Sequence, residues 1–218
     1  MLGRSAYADL GGHAERIFSA VTEALDAAGT KRSDIGLVAC DIGPGSFTGV
    51  RVGVASAKGL ALGLGVPLVG VGSLEAMAAS AFATGVVGPK DVVVAILDAK
   101  KQEFFLAAYD ASGQNLLAPV HVPIIEASKI VETELSRFLQ GNVGICLVGE
   151  ATLLEPSLAP NLIRASEVDL PDAVAVGRLG WQRFASSQEA DRAFDPEVIE
   201  PRYVRPPDAK PMPSTGAT

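Results

Sequence analysis

Few side chains in this 218-residue sequence are placed to do chemistry, and each group that could has a shortfall. The loop Gly43-Pro44-Gly45-Ser46-Phe47-Thr48-Gly49 comes first, because backbone N–H groups at a helix start attract anions. Gly43, Gly45, Ser46 and Thr48 would form that anion or nucleotide loop. It meets neither standard phosphate-binding pattern: no Lys-Ser or Lys-Thr follows Gly49, and a G-x-G-x-x-G frame does not fit. A tight strand-to-helix turn capped by Ser46 or Thr48 is the better reading. Glu75 could be drawn as a general base, but with no histidine near it in sequence it reads as a carboxylate in a helix's first turn.

Metal and nucleophile chemistry fare no better. His13 and His121 have Ile17 and Ile125 at i+4, so neither belongs to a ligand pair, and each is expected in a surface or capping role. Cys40 and Cys146 lie in apolar, strand-like runs without a second Cys or His at metal spacing, and both are expected to be buried and inert. Asp98 opens the tip Asp98-Ala99-Lys100-Lys101-Gln102 and reads as a turn residue rather than a magnesium ligand. No G-x-S-x-G elbow, H-E-x-x-H motif or Cys with a suitably placed His supports a hydrolase. The expectation is therefore no catalytic residue, no metal and no cofactor.

Composition narrows the partners. The net charge of -7 argues against a free-standing nucleic-acid binder, since phosphate affinity depends on clustered Lys and Arg. Any RNA role would run through a partner. The uncharged stretch Gly59 to Leu74 is sixteen residues long but is broken by five glycines and Pro67, too short and too interrupted to cross a bilayer. The N-terminus lacks the apolar block of a signal peptide, so a cytoplasmic location is expected.

Helical and strand periodicities alternate, which favours the α/β class. Helices are expected over His13–Ala28, Thr48–Leu62, Ser73–Ala83, Ala127–Leu139 and Asp172–Ala185, the last N-capped by Asp172. In that last helix Ala173, Gly177, Gly180, Trp181 and Phe184 share one face. Strands are expected over Ile35–Ile42, Val66–Gly72, Val120–Ile125 and Val143–Val148, with a hairpin from Val92–Leu97 and Phe104–Tyr109. The character changes near Pro89, giving a first lobe over 1–88, a second over 89–200 and an extended proline-rich tail over 201–218.

The run from Asp41 to Glu75, with Gly43-Pro44-Gly45 and then Ser46-Phe47-Thr48-Gly49-Val50-Arg51, resembles the bacterial TsaB family. The tail Pro201-Arg-Tyr203-Val-Arg205-Pro-Pro-Asp-Ala-Lys210 is similar to that family's C-terminal signature, and the match covers nearly the whole chain. The resemblance implies the two-lobed fold of actin, Hsp70 and sugar kinases, the ASKHA fold. TsaB-like proteins open with a hairpin carrying Ile-Asp-Thr-Ser ahead of a helix beginning His-Ala-Glu-Arg. Here His13-Ala-Glu-Arg16 comes almost at once, so the first lobe is expected to be truncated, its sheet reduced and one apolar edge unpaired. ATP use in this fold relies on Asp-x-Gly hairpin tips, and Lys100 stands at the glycine position.

The resemblance also implies a role. TsaB is the non-catalytic partner in threonylcarbamoyladenosine modification of tRNA, supporting the catalytic paralogue TsaD, which the ATPase TsaE joins. TsaD carries His-Leu-Glu-Gly-His where this sequence has Ser73-Leu74-Glu75-Ala76-Met77, so both imidazole ligands are replaced. Gly49, Gly53, Ala57 and Ala61 recur at i+4 along one helix, as do Ala20, Ala24 and Ala28 along another, and such rows admit close helix packing. With Val50 and Val54 they form the expected partner surface, for TsaD or for a homodimer, with tRNA met indirectly. They could equally pack within the chain. A glycoprotease-like hydrolase or a stand-alone nucleotide-binding ATPase of the same fold is the alternative.

Overall fold

Side chains that alternate in direction, and small ones that allow close approach, build two sheets of unequal size. The computed structural model describes residues 1–7, 13–136, 138, 143–150, 162–165, 168–187 and 193–205. In the small sheet β1 (Val38–Asp41) runs parallel to β2 (Leu68–Val71), Val38 facing Leu68 and Asp41 facing Val71. The crossover between them is α2 (Phe47–Leu64). Val38, Cys40, Ile42 and Leu68 point one way, onto Val54 and Ala61 of α2. Ala39 and Val71 point the other way, onto α5 (Ala173–Ser186). That is the period of two that a strand imposes.

Among the described residues this first sheet holds two strands. The outer edge of β1 has no strand partner among the described residues. Beside it runs an apolar groove of about 220 Å³ between α1 (His13–Ala28) and α2, lined by Val21, Leu25, Leu37, Leu60 and Leu64.

The large sheet has the order β5-β4-β3-β6-β7. β3 (Val92–Lys100) is its central strand, paired antiparallel with β4 (Glu103–Tyr109) and parallel with β6 (Ile145–Gly149). Burial on both faces explains why β3 and β6 read as continuous apolar runs. Val93, Ala95, Leu97, Cys146 and Val148 meet Leu74, Met77 and Ala81 of α3 (Ser73–Ala83) on one face. Val94, Ile96, Ile145 and Leu147 meet Ala127, Val131 and Leu135 of α4 (Ile124–Leu135) on the other.

Some element boundaries move. β5 spans Asn115–Pro123, starting five residues before the expected strand, because bulges let its Ala118-Pro119 segment stay on the sheet edge. α4 starts at Ile124 with Pro123 as its N-cap residue, and Leu139 lies outside the described residues. β7 (Leu162–Arg164) and a 3-10 turn at Arg32–Asp34 had no sequence signal strong enough to predict them.

The chain then returns. α5 follows the large sheet in sequence yet packs across β1 and β2. Asp172 caps it as expected, its carboxylate accepting from the Val174 N–H at 2.7 Å. Of the residues that share one face of α5, only Gly180 is buried, alongside Ala175 and Val176, while Ala173, Gly177 and Trp181 are exposed. A Cβ on Gly180 would lie 2.6 Å from the Ala39 Cβ, so glycine there is what lets α5 sit on β1. Trp181 packs sideways on Phe184, and Phe184 on Phe194.

Candidate functional site

The Gly-Pro-Gly turn is held by a half-buried carboxylate. Asp41 ends β1, and its Oδ1 accepts from the Gly43 N–H and from the Ser73 Oγ, both at 2.7 Å. The Gly43 carbonyl in turn accepts from the Ser73 N–H at 3.0 Å. Gly43 has φ +96 and leads into a cis bond to Pro44; a Cβ on it would meet the Arg202 carbonyl at 3.1 Å. The positive φ and the nearby Arg202 carbonyl each select glycine at this position. Burial pushes the Asp41 carboxyl up from its ordinary value, with the bonds from Ser73 and Gly43 opposing.

This geometry bears on the candidate anion loop. The Gly43 N–H is already engaged, and a carboxylate stands where an anion would approach. Ser46 is the N-cap of α2, its Oγ accepting from the Gly49 N–H at 3.4 Å, while Gly45 and Thr48 are exposed. The turn-and-cap reading accounts for Gly43 and Ser46.

Ser73 and Met77, which stand where the TsaD pattern has its imidazoles, are both built into the interior. Ser73 is 2% exposed and donates to Asp41; Met77 is 0% exposed within the core between α3 and the large sheet. Glu75 turns away from them and pairs with Arg183 of α5, whose guanidinium also donates to the Gly70 carbonyl at 2.6 Å. Nothing in the spacing of Glu75 and Arg183 announced this pair, since the two are 108 positions apart.

The outlying candidates resolve locally. Asp98 accepts from the Lys100 N–H at 2.7 Å and pairs with the Lys100 ammonium, which lowers the Asp98 carboxyl below its usual value. The tip is formed by Lys100, Lys101 and Gln102, all with positive φ. His121 departs from its expected surface role: its Nε2 lies 2.9 Å from the Glu103 carboxylate and its ring packs on Phe105. Glu103 also binds Arg205 at 3.2 Å, fixing the tail beside the hairpin. Cys40 and Cys146 are free and buried, as expected.

The rows of small residues divide. Steps of four residues rotate about 40° around a helix, so a row of three steps drifts by about 120°. Gly49 and Gly53 are accordingly half-buried at its rim, whereas Ala61 at its end is 0% exposed. Val54 is 2% exposed, and Val50 and Ala57 also lean on the core of the small sheet. Val54 and Ala61 thus drop out of the accessible surface by their burial. On α1 the row Ala20, Ala24 and Ala28 is half-buried, and Gly3 lies directly over it: a Cβ there would come within 2.0 Å of the Ala24 carbonyl. Arg4 continues the segment by pairing with Asp172 at 2.8 Å.

What remains open on α2 is its outer side. A Cβ on Gly53, Gly59 or Gly63 would meet no atom within 4 Å, and Leu62 beside them is 56% exposed. These glycines answer to no close approach among the described residues, although each lowers helix stability by roughly 1 kcal/mol relative to Ala. At the N-terminal end of α2, Phe47, Arg51 and Tyr203 form a stack: the Arg51 guanidinium lies 4.3 Å from the Phe47 ring centre, and Phe47 and Tyr203 are 5.4 Å apart.

A small parallel sheet with an α2 crossover, a larger mixed sheet with helices on both faces, and a C-terminal return define an α/β protein of the ASKHA-like class. The family model for TsaD, tRNA N6-adenosine threonylcarbamoyltransferase, matches residues 11–142. The tRNA threonylcarbamoyladenosine biosynthesis protein TsaB of Escherichia coli K12 is 33% identical over 88% of this chain and 80% of its own length. A tRNA N6-adenosine threonylcarbamoyltransferase of Jannaschia is 52% identical, over 28% of this chain and 17% of its own. Among solved structures, a Pseudomonas aeruginosa protein described as similar to peptidase YeaZ superposes with a TM-score of 0.67 at 25% identity, covering 89% of this chain and 85% of that one. The chain belongs to the TsaB family.

Proposed function

We propose that this protein is the non-catalytic scaffold subunit of the machinery that forms N6-threonylcarbamoyladenosine at position 37 of tRNA. The observation that carries the reading is the state of Ser73 and Met77: one is bonded to Asp41 and the other fills the core. In this reading chemistry belongs to a TsaD-type paralogue, an ATPase of the TsaE type joins through the complex, and tRNA is met through those partners.

The docking face we assign is the outer side of α2, entered at Gly49 and Gly53, where absent side chains let a partner helix approach closely. The row Ala20, Ala24 and Ala28 would take part once the segment around Gly3 moves aside. A homodimer through the same face competes with the heterodimer. Among the described residues no helix is long and apolar enough to cross a membrane, which suits a cytoplasmic site of action. We also propose the division into lobes near residue 89, with α5 joined to the first by its contacts.

Reconstitution tests the reading. Alone with ATP and magnesium the chain turns over at background. Added to a TsaD-type enzyme and its ATPase, it raises tRNA modification well above what they achieve without it. Robust turnover by the isolated chain, or modification indifferent to its presence, would reject the proposal.

A further inference from the structure

An open cleft of about 680 Å³ lies between the start of α3, the β4–β5 turn and the tail. It is separate from the Gly43–Gly49 loop and from the hairpin tip, neither of which lines it. Its volume falls in the range of small-molecule sites, roughly 300 to 1,000 Å³. Pro119, Val204 and the ring of Tyr109 supply apolar wall, and three charged side chains face it: Glu75, Arg183 and Arg202.

Those charges do not cancel. Glu75 and Arg183 satisfy each other through short hydrogen bonds. Arg202 is held at its base, its N–H donating to the Ile42 carbonyl at 2.7 Å, yet its guanidinium has no hydrogen-bond or ion-pair partner among the described residues. The cleft therefore carries an uncompensated positive charge within a protein of net charge -7. A guanidinium presents a planar fork of donors suited to carboxylate or phosphate, and a concave wall strengthens its pull. The Tyr109 phenol, pushed up to about 12 mainly by burial and next by Glu75, stays protonated beside it.

We infer that this cleft binds a small organic anion, its carboxylate or phosphate taken by the Arg202 guanidinium and its ring or chain laid against Tyr109, Pro119 and Val204. The inference stands on these residues and does not rest on the scaffold reading. It differs from a macromolecular contact in being concave and small-molecule sized.

Titration of the full chain, followed by calorimetry and by amide and arginine side-chain resonances, tests it with three probes: adenosine monophosphate, benzoate and neutral adenosine. The expected result is saturable binding of the monophosphate (the phosphate source) or of benzoate (the carboxylate source) at about 1 mM or tighter. Arg202→Gln weakens it about tenfold or more, as loss of a charge-assisted bond requires. Arg202→Lys, which keeps the charge, retains part of the affinity, and Arg178→Gln on the exposed side of α5 leaves it unchanged. Absence of saturation by either anion, equal binding of neutral adenosine, or wild-type affinity in a folded Arg202→Gln variant would each overturn the assignment.

Discussion

Arg51 in the second turn of α2 donates its Nε–H to the Tyr203 hydroxyl at 2.8 Å, across 152 positions of sequence. The bond joins the Gly-Pro-Gly segment to the tail motif, the two features that most strongly mark the family. With Phe47 stacked below, the contact docks the tail on α2 and leads it past Ile42 toward the cleft. Because the pair is exposed, its coupling should be modest. A double-mutant cycle of Arg51→Ala and Tyr203→Phe in urea is expected to give about 0.5–1 kcal/mol. Strict additivity would mean the contact is not formed in solution.

Two glycines three residues apart in α5 should respond oppositely. Gly180 abuts Ala39, while a Cβ on Gly177 would meet nothing within 4 Å. Gly180→Ala should destabilise by about 1–3 kcal/mol, lowering Tm by several degrees through overpacking. Gly177→Ala should stabilise by roughly 0.5–1 kcal/mol through helix propensity. Thermal melts of the two variants check the seating of α5 on the small sheet.

That seating also shows what the sequence could and could not disclose. The span Ser73–Ala83, the Asp172 cap and the strands over Val92–Tyr109 were legible because local signals dominate there: an initiating turn, a capping carboxylate, an unbroken apolar run. The buried face of α5 was not. Trp181 and Phe184 supply the hydrophobic signal, but contact with a sheet at close range is made by Ala175, Val176 and Gly180, whose small size carries little periodic weight. The Glu75–Arg183 pair and the place of Arg202 at the cleft follow from the chain's return to the small sheet, and no local pattern encodes that return. The row on α2 was legible as small residues but not as a surface, since its drift turns Ala61 inward.

The Asp41 carboxyl gives a pH signature. Its folded value is raised by burial, so the folded state holds the proton more tightly than the unfolded one. Stability from this group is complete below the unfolded value near 3.9 and is lost as pH rises through the folded value. Asp41→Asn can still accept from Gly43 and Ser73 through its Oδ1 and lacks that penalty. Relative to wild type it should gain stability between about pH 4 and the folded value, then hold a constant difference. A variant whose stability relative to wild type falls over that range would contradict the burial argument.

Both thiols should be silent in the native state. Burial pushes Cys40 up to about 12 and raises Cys146 as well, so neither supplies thiolate at neutral pH. Ellman's reagent should titrate no thiol before unfolding and two afterwards. Rapid native labelling of either would show that its strand opens readily.

The partner surface is tested most directly at Gly53. A Cβ added there meets no described atom within 4 Å, so Gly53→Leu should fold and melt near or above the wild-type temperature. Affinity for a TsaD-type partner, measured by calorimetry on the folded variant, should fall about tenfold or more, since the leucine holds the partner helix away. Wild-type affinity in that variant would place the docking face elsewhere.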